Sequence, residues 1–320
     1  MIQKISEIEQ IIRTHDEFLI TSHENPDGDA VGSMASMGYL LKAMGKKFSI
    51  YNASRIPDKF QWVKMPCPVD NQYFPGSHSW IIALDCGDLK RTGEKLAAEA
   101  IEPIINIDHH HGNPGFGQIN WVSTHYSSAG EMVARLADRL DIRINGHLAE
   151  GIYLAMVSDT GFFSFGNTSP EVLELAAKLI RNGINPGLIN AKILNQWSVE
   201  RLHLHGLAMQ QAIFYLNGRI GLIWVTREML ERTGASSEDC EGLVNTLRNV
   251  KSVEVAISLR EEDAKRVKFS LRSTGRINVQ RMAAEFDGGG HKNASGGIIY
   301  ADMKNARTMI KEVVSRHLQA

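Results

Sequence analysis

Cysteine is scarce in this chain. Cys67, Cys86 and Cys240 are the only three, they form no C-x-x-C pair, and an odd count closes no disulfide framework. A disulfide scaffold is excluded, and a reducing compartment is the simpler reading. A dominant charge is also missing: 35 Lys plus Arg against 36 Asp plus Glu leave a net charge of -1. That balance argues against the broad positive field that long nucleic acids need, so a nucleic-acid partner should be short or locally gripped. Long apolar runs are absent as well. The start, MIQKISEIEQIIRTHDEF, alternates charged and apolar residues and lacks the apolar core of a signal peptide, and no run approaches the roughly 18 residues of a membrane span. The expectation is a soluble, cytoplasmic protein with no membrane partner.

What is present is ordinary in bulk. The 320 residues, 43% hydrophobic and 22% charged, have a globular balance that rules out disorder, collagen and coiled coil, and the length suggests two domains. Ile5, Ile8, Ile11 and Ile12 share one face of an amphipathic helix. Phe18 to Thr21 reads as a short buried strand, followed by the Pro- and Gly-bearing loop HENPDGDAVGS and then by MASMGYLLKAMG, which has helical spacing and a Gly stop. WIIALD, ending in Asp85, and PIINIDHH, with its strand ending in Asp108, are further buried strands; GEMVARLADRL and HLAEGIYLAMV are helical. Strands alternating with helices imply a parallel α/β sheet with its ligand crevice at the carboxyl ends of the strands. The polar clusters fall at those ends or in adjoining loops.

From Ser169 the helical segments PEVLELAAKLIRNG and VERLHLHGLAMQQAIFYL run on, broken at Asn185-Pro186-Gly187. Beyond them FYL-NG-RIGLIWVT carries an Asn-Gly hairpin turn, and VEVAISL and RVKFSLRS flank the turn EEDAK. A second, sheet-rich α/β domain is expected there. Residues 251 to 320 hold 13 Lys plus Arg against 8 Asp plus Glu, a balance of +5 that leaves -6 for residues 1 to 250.

The twelve histidines matter by position. His109, His110 and His111 are consecutive, and His23, Asp27 and Asp29 form H-x-x-x-D-x-D on a tight loop where Gly28 permits the turn. Alone, that cluster also reads as an Asx turn and helix cap, with Asp29 or Ser33 serving the following helix; Asp85, Asp108 and Asp159 are equally open to capping roles. Together they form several carboxylates that would repel at close range unless cations held them. Carboxylates with a few imidazoles and no thiolate suit Mn²⁺ or Mg²⁺ better than structural zinc. Two such ions would suit phosphoester hydrolysis, where they activate water and clamp the attacking and leaving oxygens.

HENPDGDAVGS, ALDCGD, DHH and SDTG, in this order, resemble the four motifs of the DHH phosphoesterase family, and GGGHKNASGG resembles the signature of its DHHA1 domain. The motifs span residues 23 to 297, and the compact length is similar to the NrnA-like branch of nanoRNases and pAp phosphatases. The resemblance implies a parallel-sheet DHH catalytic domain over residues 1–185, a linker helix region over 186–212 and a smaller mixed-sheet α/β DHHA1 substrate-binding domain over 213–320, with the active-site cleft between them. It implies two Mn²⁺ per chain, with Mg²⁺ or Co²⁺ as alternatives. His23 and Asp27 would ligate the first, Asp29, His109 and Asp159 the second, and Asp85 would bridge both. Asp108 would orient His109, and His110 would contact the scissile phosphate or assist the leaving group. His111 lies beyond the motif and reads as an exposed loop residue, and Cys86 as a small buried one.

In the second half, Arg272 ends a strand pattern and can hold phosphate oxygens bidentately. Gly288, Gly289, Gly290 and His291 read as a loop whose bare backbone lets amides approach a phosphate. The resemblance implies that these positions bind the substrate's far nucleotide or its phosphate. Ser127, Ser128 and Glu131 make an N-terminal helix cap, most of the five tryptophans read as core or partly buried, and His203 and His205 face different sides of a helix, which argues against a joint metal site. The expected activity is hydrolysis of short oligoribonucleotides to mononucleotides and dephosphorylation of pAp, with short RNA or small nucleotides as partners and a homodimer left open. Alternatives are a phosphodiesterase for linear dinucleotides from cyclic dinucleotide signalling and a non-hydrolytic nucleotide sensor. A RecJ-like long-strand exonuclease would need further domains, and pyrophosphatase relatives lack the GGGHKNASGG stretch.

Overall fold

A computed structural model describes residues 2–319. The chain divides into two compact units at Gln196/Trp197, inside the segment read as a linker, which is helical at Pro186–Leu194 and Val199–Gln210. Among the described residues, no helix is long and apolar enough to cross a membrane.

The first unit is built on six parallel strands: β1 (Phe18–Thr21), β2 (Phe48–Tyr51), β3 (Val69–Asp70), β4 (Trp80–Leu84), β5 (Ile104–Asp108) and β6 (Ile119–Val122), in the order β3-β2-β1-β4-β5-β6. β1 and β4 read as apolar runs, and β5 as one interrupted by the buried Asn106, because both faces of the sheet are covered. Ile20, Ile82, Leu84, Ile105 and Ile107 join a core with the N-terminal helix residues Ile5, Ile8 and Ile12, while Leu19, Ile81, Ala83 and Ile104 pack on the other side with Tyr51, Tyr73 and Leu96. Each large side chain buried in this way contributes about 1.5–3 kcal/mol. The strand order reverses between β1 and β4, which is where an open parallel sheet leaves a crevice at its carboxyl edge.

Three helices carry the site's other side. The helix Gly28–Ala43 begins earlier than its sequence suggests: Asp27 caps it, accepting from the amides of Asp29 and Ala30, so the stretch read as loop through Ser33 is already helical. It crosses the helix Gly146–Asp159 at a glycine contact. A Cβ on Gly32 would lie 2.4 Å from the Gly151 carbonyl oxygen, and one on Gly151 would lie 2.6 Å from that of Gly32. The helix Ala129–Arg139 packs in the same group, with Gly130 against Ala155. It starts at Ser128, whose hydroxyl accepts from the Glu131 amide, while the Glu131 carboxylate accepts from the amide and hydroxyl of Ser127. The expected cap is present.

The second unit carries a mixed sheet: β7 (Ile213–Tyr215), β8 (Ile220–Val225), β9 (Val255–Asp263), β10 (Arg266–Ser273), β11 (Gly289–His291) and β12 (Ala294–Ile299), in the order β11-β12-β10-β9-β8-β7. Only β8 and β9 pair in parallel. The β7–β8 hairpin turns through Leu216, Asn217 and Gly218, all left-handed, as the Asn-Gly signal indicates. Along β10, Val267, Phe269 and Leu271 are buried against the helices Val279–Ala284 and Met303–Gln319, so Lys268, Ser270 and Arg272 face the other way. Residues 289–291, read as loop, form a short edge strand instead.

Candidate active site

Six residues expected to hold metal converge at the carboxyl edge of the first sheet. His23 lies two residues beyond β1. Its Nδ1 bonds the Glu24 carbonyl at 2.8 Å, which commits that nitrogen as donor and leaves Nε2 facing Asp85 Oδ2 at 3.6 Å and Asp27 Oδ1 at 3.9 Å. Asn52 fixes the same segment by donating to the His23 carbonyl. Asp85 follows β4 directly in a left-handed conformation, φ 51°, which non-glycine residues adopt at a cost and which recurs at functional sites. Gly28 cannot carry a side chain here, because a Cβ would meet Ser158 Oγ at 1.9 Å.

Asp29 is wholly buried and accepts from the Ala129 and Gly130 amides at 2.6 and 3.0 Å, so the first turn of the Ala129–Arg139 helix holds its carboxylate. Asp159 is the last residue of its helix, not a strand-end residue like Asp108. His109 Nε2 sits among three carboxylates, 3.1 Å from Asp159, 3.4 Å from Asp29 and 3.4 Å from Asp85. The ligand atoms fall into three groups compact enough for an ion: His23, Asp27 and Asp85; Asp29, His109 and Asp159; and Asp85, His109 and His110. All lie in the first unit.

The electrostatics of the cluster are those of crowded, buried carboxylates. Burial raises the Asp29 pKa well above the carboxylate range, and Asp85 and Asp159 add to the shift. Burial works against charge on His109, yet Asp159 and Asp85 outweigh it and push its pKa up to about 11; for His23 the same contest with Asp27 and Asp85 ends at about 10. Both carboxylate oxygens of Asp85 and Nε2 of His109 are buried without any hydrogen-bond partner. Buried polar atoms are rarely left so. Divalent cations would satisfy these atoms and offset the carboxylate charge at once, and the oxygen-rich, thiolate-free donor set suits hard ions.

Asp108 corrects one expectation. Its carboxylate orients His110, with Oδ1 2.8 Å from His110 Nδ1, rather than His109. The other oxygen accepts from Asn113 Nδ2 at 2.6 Å, and Asn113 Oδ1 in turn accepts from Asn106. These bonds hold the Asp108 pKa low against burial. With Nδ1 donating to Asp108, His110 presents Nε2 outward. Asn113 was not legible as a functional residue, since nothing in the spacing of a loop asparagine marks it. His111 is exposed, and Cys86 is buried, donates to the Asp88 carbonyl and has its thiol pushed up to about 12 by burial; neither side chain takes part, though the Cys86 carbonyl also accepts from Asn113.

In the second unit a depression of about 690 Å³ is lined by Arg260, Lys268, Arg272, Gly289, His291 and Gly296, among others. It brings three of the expected substrate-binding residues together. The glycines divide in their duties: a Cβ on Gly288 would lie 2.5 Å from the Gly296 carbonyl and one on Gly290 2.5 Å from that of Ala294, whereas Gly289 has open space. Gly288 and Gly290 therefore permit the β11–β12 pairing, and Gly289 alone exposes bare backbone. His205 is buried and bonds the Asp239 carbonyl while His203 is exposed. Trp197 is half exposed rather than core.

Residues 17–156 match the DHH family, N-terminal domain, and residues 222–316 match the DHHA1 domain. The bifunctional oligoribonuclease and PAP phosphatase NrnA of Thermus thermophilus is 30% identical over 308 residues, covering 93% of this chain and 89% of that protein. An exopolyphosphatase-related protein from Bacteroides fragilis has a crystal structure with a TM-score of 0.88 at 31% identity, covering 99% of this chain and 97% of the other. The crystal structure of RecJ from Thermus thermophilus in complex with Mn²⁺ shares the fold at a TM-score of 0.54 and 13% identity, covering 99% of this chain and 54% of that one.

Proposed function

We propose that this chain, which belongs to the DHH family, works as a manganese-dependent hydrolase of phosphate esters that cuts very short RNA to mononucleotides and dephosphorylates pAp. That it is a hydrolytic phosphoesterase follows from its family and relatives; the metal and the substrates are our reading. The observation that carries it is the unpaired pair of Asp85 oxygens beside the unpaired His109 Nε2, ringed by further carboxylates.

His23, Asp27 and Asp85 would hold one cation, and Asp29, His109 and Asp159, with Asp85 shared, a second. The pair, when bound, neutralises charge on the phosphoryl oxygens and acidifies water enough for attack at neutral pH. The donor set takes Mn²⁺, with Mg²⁺ or Co²⁺ as alternatives. Asp108 holds the Nδ1 proton of His110, so Nε2 is the atom that meets the scissile phosphate or passes a proton to the leaving oxygen. In the second unit, Arg272 would take substrate phosphate oxygens as a fork while Gly289 and His291 offer donors beside it. Arg272 donates to the Leu271 carbonyl at 3.0 Å, and burial, helped by Arg248, lowers its pKa. Three free thiols suit a cytoplasmic setting.

The test is release of phosphate and mononucleotide from pAp, from RNA of two to five nucleotides and from long RNA, with Mn²⁺ and with EDTA. Metal-dependent turnover concentrated on pAp and the shortest RNA is expected. Turnover of linear dinucleotides alone, or tight binding without turnover, would replace this reading. Arg272→Ala should raise KM for short RNA and leave metal binding unchanged; an unaltered KM for RNA and pAp alike removes Arg272 from the grip.

A further inference from the structure

We propose that Phe165 is a nucleobase-stacking platform of the active site, the element that favours nucleotides over other phosphate esters. The inference rests on the phosphoesterase reading above and extends it to the part of the substrate that carries no phosphate.

The chain leaves Asp159 and doubles back through an uncommon turn. Gly161, Phe162 and Phe163 are successive left-handed residues, φ 54°, 57° and 62°, a conformation that bulky side chains avoid. Backbone and hydroxyl bonds hold it. The Phe162 amide donates to the Val157 carbonyl at 2.8 Å, that of Phe163 to Thr160 Oγ1 at 3.1 Å, and those of Ser164 and Phe165 both to the Thr160 carbonyl at 2.9 Å. At the far end, Asn167 Nδ2 donates to the carbonyls of Asp159 at 3.1 Å and Ser127 at 3.3 Å. The loop is thus fastened to one cluster residue and to Ser127, the residue before the cap of the helix whose amides hold another, Asp29.

Phe162 and Phe163 turn inward against the core, Phe163 edge-on to Tyr153. Phe165 does not. It is 60% exposed, yet its ring is backed: a Cβ on Gly161 would lie 2.4 to 2.6 Å from three ring atoms, so the ring occupies space that only glycine leaves. Gly161 is two residues from Asp159, at most about 7.6 Å between Cα atoms at 3.8 Å per trans step, so the ring lies over the first residues of the chain that leave the cluster. Phe74, the other phenylalanine of this unit with comparable exposure, has Lys95 over its ring. An exposed aromatic ring lying over Gly161, on the segment that leaves the cluster, fits a base, and every base offers a π-face, so stacking of this kind tolerates any sequence.

The experiment measures kcat/KM with Mn²⁺ for wild type, Phe165→Ala and Phe165→Trp on the RNA dinucleotide pApA and on two analogues, each lacking one base. Mn²⁺ binding serves as the control for an intact cluster. The expected result is a loss of about tenfold or more for Phe165→Ala on pApA, near-wild-type activity for Phe165→Trp, and one abasic analogue on which wild type and Phe165→Ala are equal, since the stack is already gone. An unchanged rate for Phe165→Ala on pApA overturns the proposal, as does a loss that persists in full on both abasic analogues. Failure of the wild type itself to cleave pApA with metal bound removes the function reading, and this one with it.

Discussion

Replacing Gly32 with alanine tests whether the crossing of the helices Gly28–Ala43 and Gly146–Asp159 sets the spacing of the site. The added Cβ would stand 2.4 Å from the Gly151 carbonyl oxygen and 2.9 Å from the Ala155 amide nitrogen, where ordinary contact begins at 3.4 Å, so the helices must part by about 1 Å at that point. Both neighbours are backbone and cannot rotate away. Overpacking of this kind costs about 1–3 kcal/mol, with the upper end expected here, and the intrinsic preference of a helix for Ala over Gly returns about 1 kcal/mol. A net loss of about 1–2 kcal/mol corresponds to a Tm fall of about 2–8 °C for a unit of this size. Function should suffer more, because Asp29 and Asp159 ride on the two helices that part, and a 1 Å misplacement can cost on the order of 100-fold in rate. Calorimetry and turnover would be compared with Gly206→Ala, at an exposed mid-helix glycine with nothing within 4 Å of its Cβ position, which should be neutral or slightly stabilising. A Gly32→Ala protein with wild-type Tm and turnover would refute the close-crossing argument.

Two other perturbations have defined outcomes. Asn113→Ala removes the donor that holds the second oxygen of Asp108; kcat should fall about 10- to 100-fold, the usual cost of losing an outer partner, with KM for short RNA little changed, read by steady-state kinetics. In metal-free protein, His109 and His23 have folded pKa values raised to about 11 and about 10 from an ordinary value of 6.5. Their stabilising contribution is complete below about pH 6.5 and is lost as pH rises through 10 to 11. Denaturant midpoints in EDTA should therefore fall between pH 7 and pH 10, and Mn²⁺ should flatten the decline while releasing protons as it binds, which calorimetry in buffers of different ionisation enthalpy detects. A flat profile in EDTA would contradict the charge assignment.

The parts of the fold that were legible in the sequence are those where burial is one-sided in meaning. β1 and β4 are apolar runs ending at polar residues, and β5 is one broken only by Asn106, so both the strands and the position of Asp85 and Asp108 could be read. The start of the Gly28–Ala43 helix could not, because Gly28, Gly32 and Ser33 mimic a loop and only the Asp27 cap and the helix crossing explain them. β2 and β6 are half-buried and mixed in character, and β3 has two residues, so none has a period to detect. The partner of Asp108 was misassigned for a similar reason. Adjacent histidines differ in direction, and that follows from the turn after β5, not from their order. Residues 289–291 looked like loop because glycine has no strand preference, and their pairing with β12 depends on Gly288 and Gly290 lying against backbone. Nothing in the spacing around Phe165 distinguishes it from the inward-facing Phe162 and Phe163.

On the reading proposed above, the six acidic and imidazole side chains form a two-cation phosphoesterase centre with Asp85 shared. Counting Mn²⁺ bound per chain by equilibrium dialysis, for wild type and Asp85→Asn alongside pApA turnover, tests it most directly. Two ions in the wild type, with weakened binding and abolished turnover in a folded Asp85→Asn protein, are expected. An Asp85→Asn protein that binds two ions as tightly and turns over pApA at a near-normal rate would contradict it.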